Sequence, residues 1–107
     1  MEQFVYPATF TLDVKDGGFV VTFVDIPEAI TQGETEEEAW HEAADCLEEA
    51  IANRIVTGLA IPPSSRLKRG QRAVPLAAQT AAKAALYIAL QDAQVTNSPY
   101  AIGSKKV

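Results

Sequence analysis

The stretch from Thr35 to Gly58 constrains this chain most, because it carries a full set of start and stop signals for one long helix. Thr35 supplies an N-cap oxygen, and Glu38, three residues on, completes a capping box. Glu36 and Glu37 stand where a helix dipole favours negative charge, Arg54 lies near the opposite end, and Gly58 offers a left-handed stop. Ala39, Ala43, Leu47, Ala50, Ile51 and Ile55 recur at helical spacing and make one face to bury. A helix over residues 36–57 runs about 33 Å at the standard rise. In a chain of 107 residues that length predicts a helix lying across a sheet almost from end to end.

The residues before it predict the sheet. From Phe4 to Val14, the residues Phe4, Tyr6, Ala8, Phe10, Leu12 and Val14 alternate with smaller or polar ones, the period of a half-buried strand. Pro7 has no N–H for a ladder, which predicts an edge strand or an unpaired position there. Lys15-Asp16-Gly17-Gly18 reads as a hairpin turn. Residues 19–24, FVVTFV, form a second strand rich in β-branched and aromatic side chains. Asp25-Ile26-Pro27 ends it, and residues 29–33 have room for a short third.

After the helix the chain changes character. Pro62-Pro63-Ser64-Ser65 cannot be helical, and Arg66, Lys68, Arg69 and Arg72 follow around Gly70, which reads as an exposed basic arm or loop. A short strand fits at residues 73–76. A second helix is predicted from about 76 to 93, with high intrinsic propensity from its alanines. Leu86, Ile88 and Leu90 make it apolar on several sides, so it requires more than one neighbour and predicts self-association. The expected organisation is an α+β core with its basic loop over 1–72, then a C-terminal segment over 73–107 holding the second helix and a frayed tail.

Charge divides along the same line. Residues 1–60 hold thirteen Asp/Glu against Lys15 and Arg54, a net −11, whereas residues 61–107 carry +6. Two such halves attract opposite partners. No run of apolar residues is long enough to span a bilayer. The N-terminus has no secretory pattern, and Cys46 is the single cysteine. A cytoplasmic domain is the expectation. Catalytic chemistry finds no constellation. His41 has no second ligand at metal spacing, Cys46 reads as a small core side chain, and turn chemistry accounts for Asp13, Asp16 and Asp25. Neither an enzymatic site, a metal site nor a cofactor is expected.

Taken in order, FVVTFV, Val24-Asp25-Ile26-Pro27, Gly33-Glu34-Thr35, Glu37-Glu38-Ala39 and Ile61-Pro62-Pro63-Ser64 resemble the HicB family, the antitoxin half of HicA–HicB toxin–antitoxin pairs. Asp25, Pro27, Gly33, Thr35 and Glu38 match that family's pattern; each has a structural part as turn acceptor, fixed φ, permissive backbone position or helix cap. Val24 departs from it where a proline is usual, as does Glu28-Ala29 where Gly-Cys is common.

The resemblance implies a three- to four-stranded antiparallel sheet with one long helix on one face, of the double-stranded-RNA-binding-like or partial RNase H-like type, plus a C-terminal helix. It also implies a HicA-like toxin as partner, a small basic ribonuclease that the protein neutralises by occlusion. Glu34, Glu36, Glu37, Glu38, Glu42, Asp45, Glu48 and Glu49 are the candidate contacts, because opposite fields speed encounter. Homodimers or tetramers are expected. Longer members carry a helix-turn-helix or ribbon-helix-helix DNA reader, and the fourteen residues after position 93 leave no room for one. The alternative function is direct RNA or DNA binding through Arg66, Lys68, Arg69 and Arg72, aided by Lys105 and Lys106.

Overall fold

The structure, a computed structural model, describes residues 4–97. Three strands, β1 (Val5–Leu12), β2 (Phe19–Phe23) and β3 (Ile30–Gly33), precede the long helix α1 (Glu36–Thr57); β4 (Gln71–Pro75) and α2 (Ala78–Asn97) follow it. All strand pairs are antiparallel, in the order β3-β2-β1-β4. The fold is therefore α+β, with four strands, one long helix and a C-terminal helix.

β1 is the longest strand and lies inside the sheet, flanked by β2 and β4. Of the two readings of Pro7, an edge strand or an unpaired position, the structure bears out the second. In an antiparallel ladder, successive residues direct their backbone polar groups to opposite sides. The Asp13 N–H donates to Gly18 O beyond the β2 end, and the Leu76 N–H donates to Phe4 O beyond the β4 end. Odd positions of β1 thus face β2 and even positions face β4. Pro7 turns its nitrogen toward β2, where pairing has already stopped at Ala8↔Phe23. Its missing N–H costs no ladder bond, and an interior strand accepts it.

The core lies between α1 and one sheet face. Tyr6, Ala8, Val21, Phe23 and Val74 from the sheet meet Ala39, Ala43, Leu47 and Ile51 from α1, all essentially buried. This is the α1 face that the helical spacing of apolar residues predicts, with Ala50 and Ile55 at its margin. Both α1 ends follow the sequence signals. Thr35 Oγ1 accepts from the Glu38 N–H at 3.0 Å, and Gly58 takes the left-handed conformation, φ 77°. Glu38 Oε1 reaches back to the N–H of Glu34 at 2.7 Å, one residue before the usual capping-box target.

The chain after α1 corrects one expectation. Residues 59–65 form no helix or strand but are strapped down along their length. Leu59 O accepts from the Tyr87 hydroxyl at 2.9 Å, Ala60 O from Arg54 at 2.8 Å, and Pro62 O from the Tyr6 hydroxyl at 2.7 Å. Ile61 is buried between them. Residues 66–70 are all exposed and carry Arg66, Lys68 and Arg69, whereas Arg72, also exposed, already belongs to β4. They end in a tight turn in which the Gln71 N–H donates to Lys68 O and Gly70 has φ 85°.

α2 begins at Ala78, two residues after the predicted start, because Leu76 is still tied to β1 and Ala77 is held by α1. It packs on α1 through the buried Ala84, with Ala81, Tyr87 and Ile88 partly covered. It runs to Asn97, four residues past the predicted end at 93, and the tail with Lys105 and Lys106 lies outside the described residues.

Candidate functional site

The sequence-predicted residues fall into three groups according to what already holds them. The first is structural. Asp25 closes the strap: its carboxylate accepts from the Ser65 N–H at 2.8 Å and from the Ser65 hydroxyl. A turn acceptor in sequence thus acts across 40 positions. Gly33 lies against the first turn of α1, so close that a Cβ there would stand 2.4 Å from Ala39 N. Thr35 and Glu38 form the cap, and Pro27 follows Ile26 in the turn that returns the chain to β3. Asp13 caps the β1–β2 hairpin, accepting from the N–H groups of Lys15 and Asp16 at 3.1 Å each.

The second group consists of charges already paired. Glu36 forms an ion pair with Arg72, which joins a candidate from the acidic set to one from the basic set. The Arg72 guanidinium also lies 4.9 Å over the Phe10 ring, and Phe10 stacks with Trp40 at 6.1 Å between centroids. The strand register explains this. Arg72 pairs with Ala8, so it shares the helix-side face with Phe10 at the margin of the sheet. Linear sequence places no aromatic beside Arg72; only the register supplies one.

Glu48 is likewise engaged, accepting from the Ala77 N–H at 2.5 Å and from the Thr80 hydroxyl. Glu28, where the family pattern departs, grips Arg54 in a two-pronged bond at 2.6 and 2.9 Å. That bond holds the Glu28 carboxyl below its usual range and raises the Arg54 guanidinium, in each case against a smaller opposing effect of burial.

The third group is free. Glu37, Glu42, Asp45 and Glu49 are exposed on α1, and none of them has a cation within ion-pair reach among the described residues. Glu42, Asp45 and Glu49, at i, i+3 and i+7, share one helix face. With Ile30 and Thr31 of β3, Cys46 and Ala52 they line a groove of about 690 Å³. Burial is the main reason the Cys46 thiol is pushed up from its usual pKa, with the charges of Glu49, Glu42 and Glu28 adding to it. The thiol is therefore held protonated, a weak nucleophile. Glu34 is exposed beside the hairpin, in a second recess with Asp13, Asp16 and Glu38. Arg66, Lys68 and Arg69 are exposed on the 66–70 turn.

What this geometry offers is surface for a partner: an acidic helix face beside a sheet edge. Among the described residues no three His, Cys, Asp or Glu side chains are grouped to hold a metal ion. No described helix is long and apolar enough to cross a membrane.

Known proteins place this architecture. The family model of the HicB-like antitoxin of bacterial toxin–antitoxin systems matches residues 5–85, which span the sheet, α1, the strap and the start of α2. The chain belongs to that family. It is 37% identical over 103 residues to the antitoxin HicB of Escherichia coli K12, covering 94% of this chain and 74% of the relative. It is equally similar, 37% over 103 residues, to antitoxin HicB 1 of Photorhabdus laumondii, covering 94% of this chain and 64% of that protein.

Proposed function

We propose that this protein neutralises a HicA-like toxin, a small basic ribonuclease, by docking on it and covering its catalytic histidine. The observation that supports this reading most is the row of unpaired carboxylates, Glu42, Asp45 and Glu49, left on α1 after every other charged candidate on that helix except Glu37 has found an internal partner. Opposite fields accelerate encounter and reject like-charged partners. Glu36, Glu38 and Glu48 serve the fold, so the encounter surface is narrower than the acidic composition suggests.

Replacing Glu42, Asp45 and Glu49 together with lysine is expected to slow association with a HicA-like toxin about tenfold or more at low salt. The gap narrows near physiological salt, where screening acts over about 8 Å. Stopped-flow mixing with a toxin whose histidine is replaced measures this; an unchanged association rate sinks the assignment. Reversal of Arg66, Lys68 and Arg69 serves as control. It leaves toxin association intact and weakens duplex RNA or DNA binding only if the basic turn reads nucleic acid, the alternative function.

A homo-oligomer belongs to the same reading. Leu86 and Leu90 on α2 are 61% and 56% exposed on the side away from α1, beside the exposed Ala82, Ala85, Ala89 and Ala93. Alanines let a second helix approach closely, and leucines give it apolar area to bury. Light scattering at micromolar concentration is expected to give at least twice the 11.5 kDa chain mass; a monomer removes the proposal.

A further inference from the structure

The two edges of the sheet are not equivalent. Alternation along the ladder directs the odd residues of β4 outward. Of these, Gln71 spends its N–H on Lys68 O, and Pro75 has none. Ala73 alone offers a donor, so β4 is closed to a further strand, a common protection of sheet edges. On the other side, even residues of β2 face β1 and odd ones face β3. The pairs Phe19↔Gly33 and Val21↔Thr31 therefore carry the β2–β3 bonds. Ile30 and Gln32 point both N–H and C=O away from the sheet, and no strand pairs with them among the described residues. Ile30 is also 61% exposed. An open edge of this kind is a template for strand addition.

We propose that the outer edge of β3 receives an extended segment of the basic toxin as a fifth strand, with Glu42, Asp45 and Glu49 beside it meeting the toxin's cations. The inference rests on the toxin-neutralising reading and adds how the partner is held. Charge selects the occupant. A second copy pairing β3 with β3 across a two-fold axis would bring two sets of these carboxylates together, like charge against like. A basic chain finds hydrogen bonds along the edge and opposite charge along its flank. Backbone bonding gives affinity without demanding a particular side-chain sequence.

Amide hydrogen exchange on the full chain, alone and with a histidine-replaced HicA-like toxin, tests this. The amides of Ile30 and Gln32 are expected to slow at least about tenfold on complex formation, since an exposed N–H acquires a partner. Those of Thr31 and Gly33, already bonded to β2, change less. Gln32→Pro removes an outward N–H without touching the β2 ladder, and is expected to raise Kd at least about tenfold. Gln32→Ala binds within about threefold of the unsubstituted chain. If the proline variant is not folded by circular dichroism, the exchange data on the unsubstituted chain decide alone. Toxin binding with no slowing at Ile30 and Gln32 overturns the strand addition and leaves the antitoxin reading standing. Failure of the unsubstituted chain to bind toxin overturns both. Slowing that grows with protein concentration in the absence of toxin assigns the edge to a second copy and overturns the proposal.

Discussion

Gly33→Ala is expected to destabilise the protein by about 3 kcal/mol, at the upper end of what overpacking costs, and to lower Tm by roughly 15 °C. The added Cβ would stand 2.4 Å from Ala39 N, 2.6 Å from Ala39 Cα and 2.8 Å from the Glu38 carbonyl carbon. All three are backbone atoms, so no side chain can swing away. β3 is fixed at this point by pairing of Gly33 with Phe19. The first turn of α1 therefore has to lift. Doing so separates Glu38 from Thr35 and Glu34, and loses the cap as well as the packing. Gly17 provides the contrast: a Cβ there meets nothing within 4 Å, and only its φ of 79° opposes substitution. Gly17→Ala should cost about 1 kcal/mol. Denaturant melts of the two variants measure the difference, and equal midpoints would show that β3 and α1 are not locked through Gly33.

These two glycines show what a sequence discloses and what it withholds. Gly17 is legible because a turn is local: Lys15-Asp16-Gly17-Gly18 names its own conformation. The cap at Thr35 and the stop at Gly58 are legible for the same reason. The buried stripe of α1 follows from spacing alone. Gly33 reads as a permissive backbone position, whereas its constraint comes from a helix that docks on it five and six residues later.

Long-range pairings are less legible still. Asp25 reaches Ser65, Tyr6 reaches Pro62 and Tyr87 reaches Leu59. Nothing in the spacing of these residues announces such pairs, although Asp25 of one family-pattern segment turns out to bond Ser65, the residue directly after the other, Ile61-Pro62-Pro63-Ser64. Pro7 left two readings open, an edge strand or an unpaired position, for a related reason. A missing N–H is harmless in an interior strand when the neighbouring strand has already ended, and strand register decides that. The acidic candidates were legible as a set but not as individuals. Composition puts eight carboxylates at the start and along the flank of α1; only the folded structure separates Glu36, Glu38 and Glu48, engaged inside the fold, from Glu42, Asp45 and Glu49, facing outward.

Glu48→Ala is expected to cost about 2 kcal/mol and to loosen α2 selectively. The Ala81 N–H donates to Ala77 O at 2.8 Å, so Ala77 is the residue from which α2 starts, and alanine has no side-chain oxygen to cap with. Glu48 of α1 accepts from the start of the helix in a different way. One carboxylate oxygen takes the Ala77 N–H and the other the hydroxyl of Thr80. In a capping box a Glu three residues into the helix bonds back to the first N–H. Here Thr80 occupies that position and holds a Glu borrowed from the neighbouring helix. A carboxylate also suits the positive end of the α2 dipole. Hydrogen bonds to a charged acceptor contribute about 1.5–3 kcal/mol when partly buried, which sets the expected loss. Glu48→Gln retains an acceptor without the charge and is expected to recover about half of it. Amide exchange is the decisive measurement: protection should fall across residues 81–93 while β1, β2 and the first half of α1 keep theirs. Uniform loss across the sheet would mean that Glu48 supports the core as a whole. No loss would mean that α2 is held by the Ala84 contact and the Tyr87–Leu59 bond alone. The prediction bears on function because the proposed self-association runs through the exposed leucines of α2. A variant that frees α2 from α1 should weaken self-association while leaving the β3 edge and the Glu42, Asp45 and Glu49 row ready for toxin.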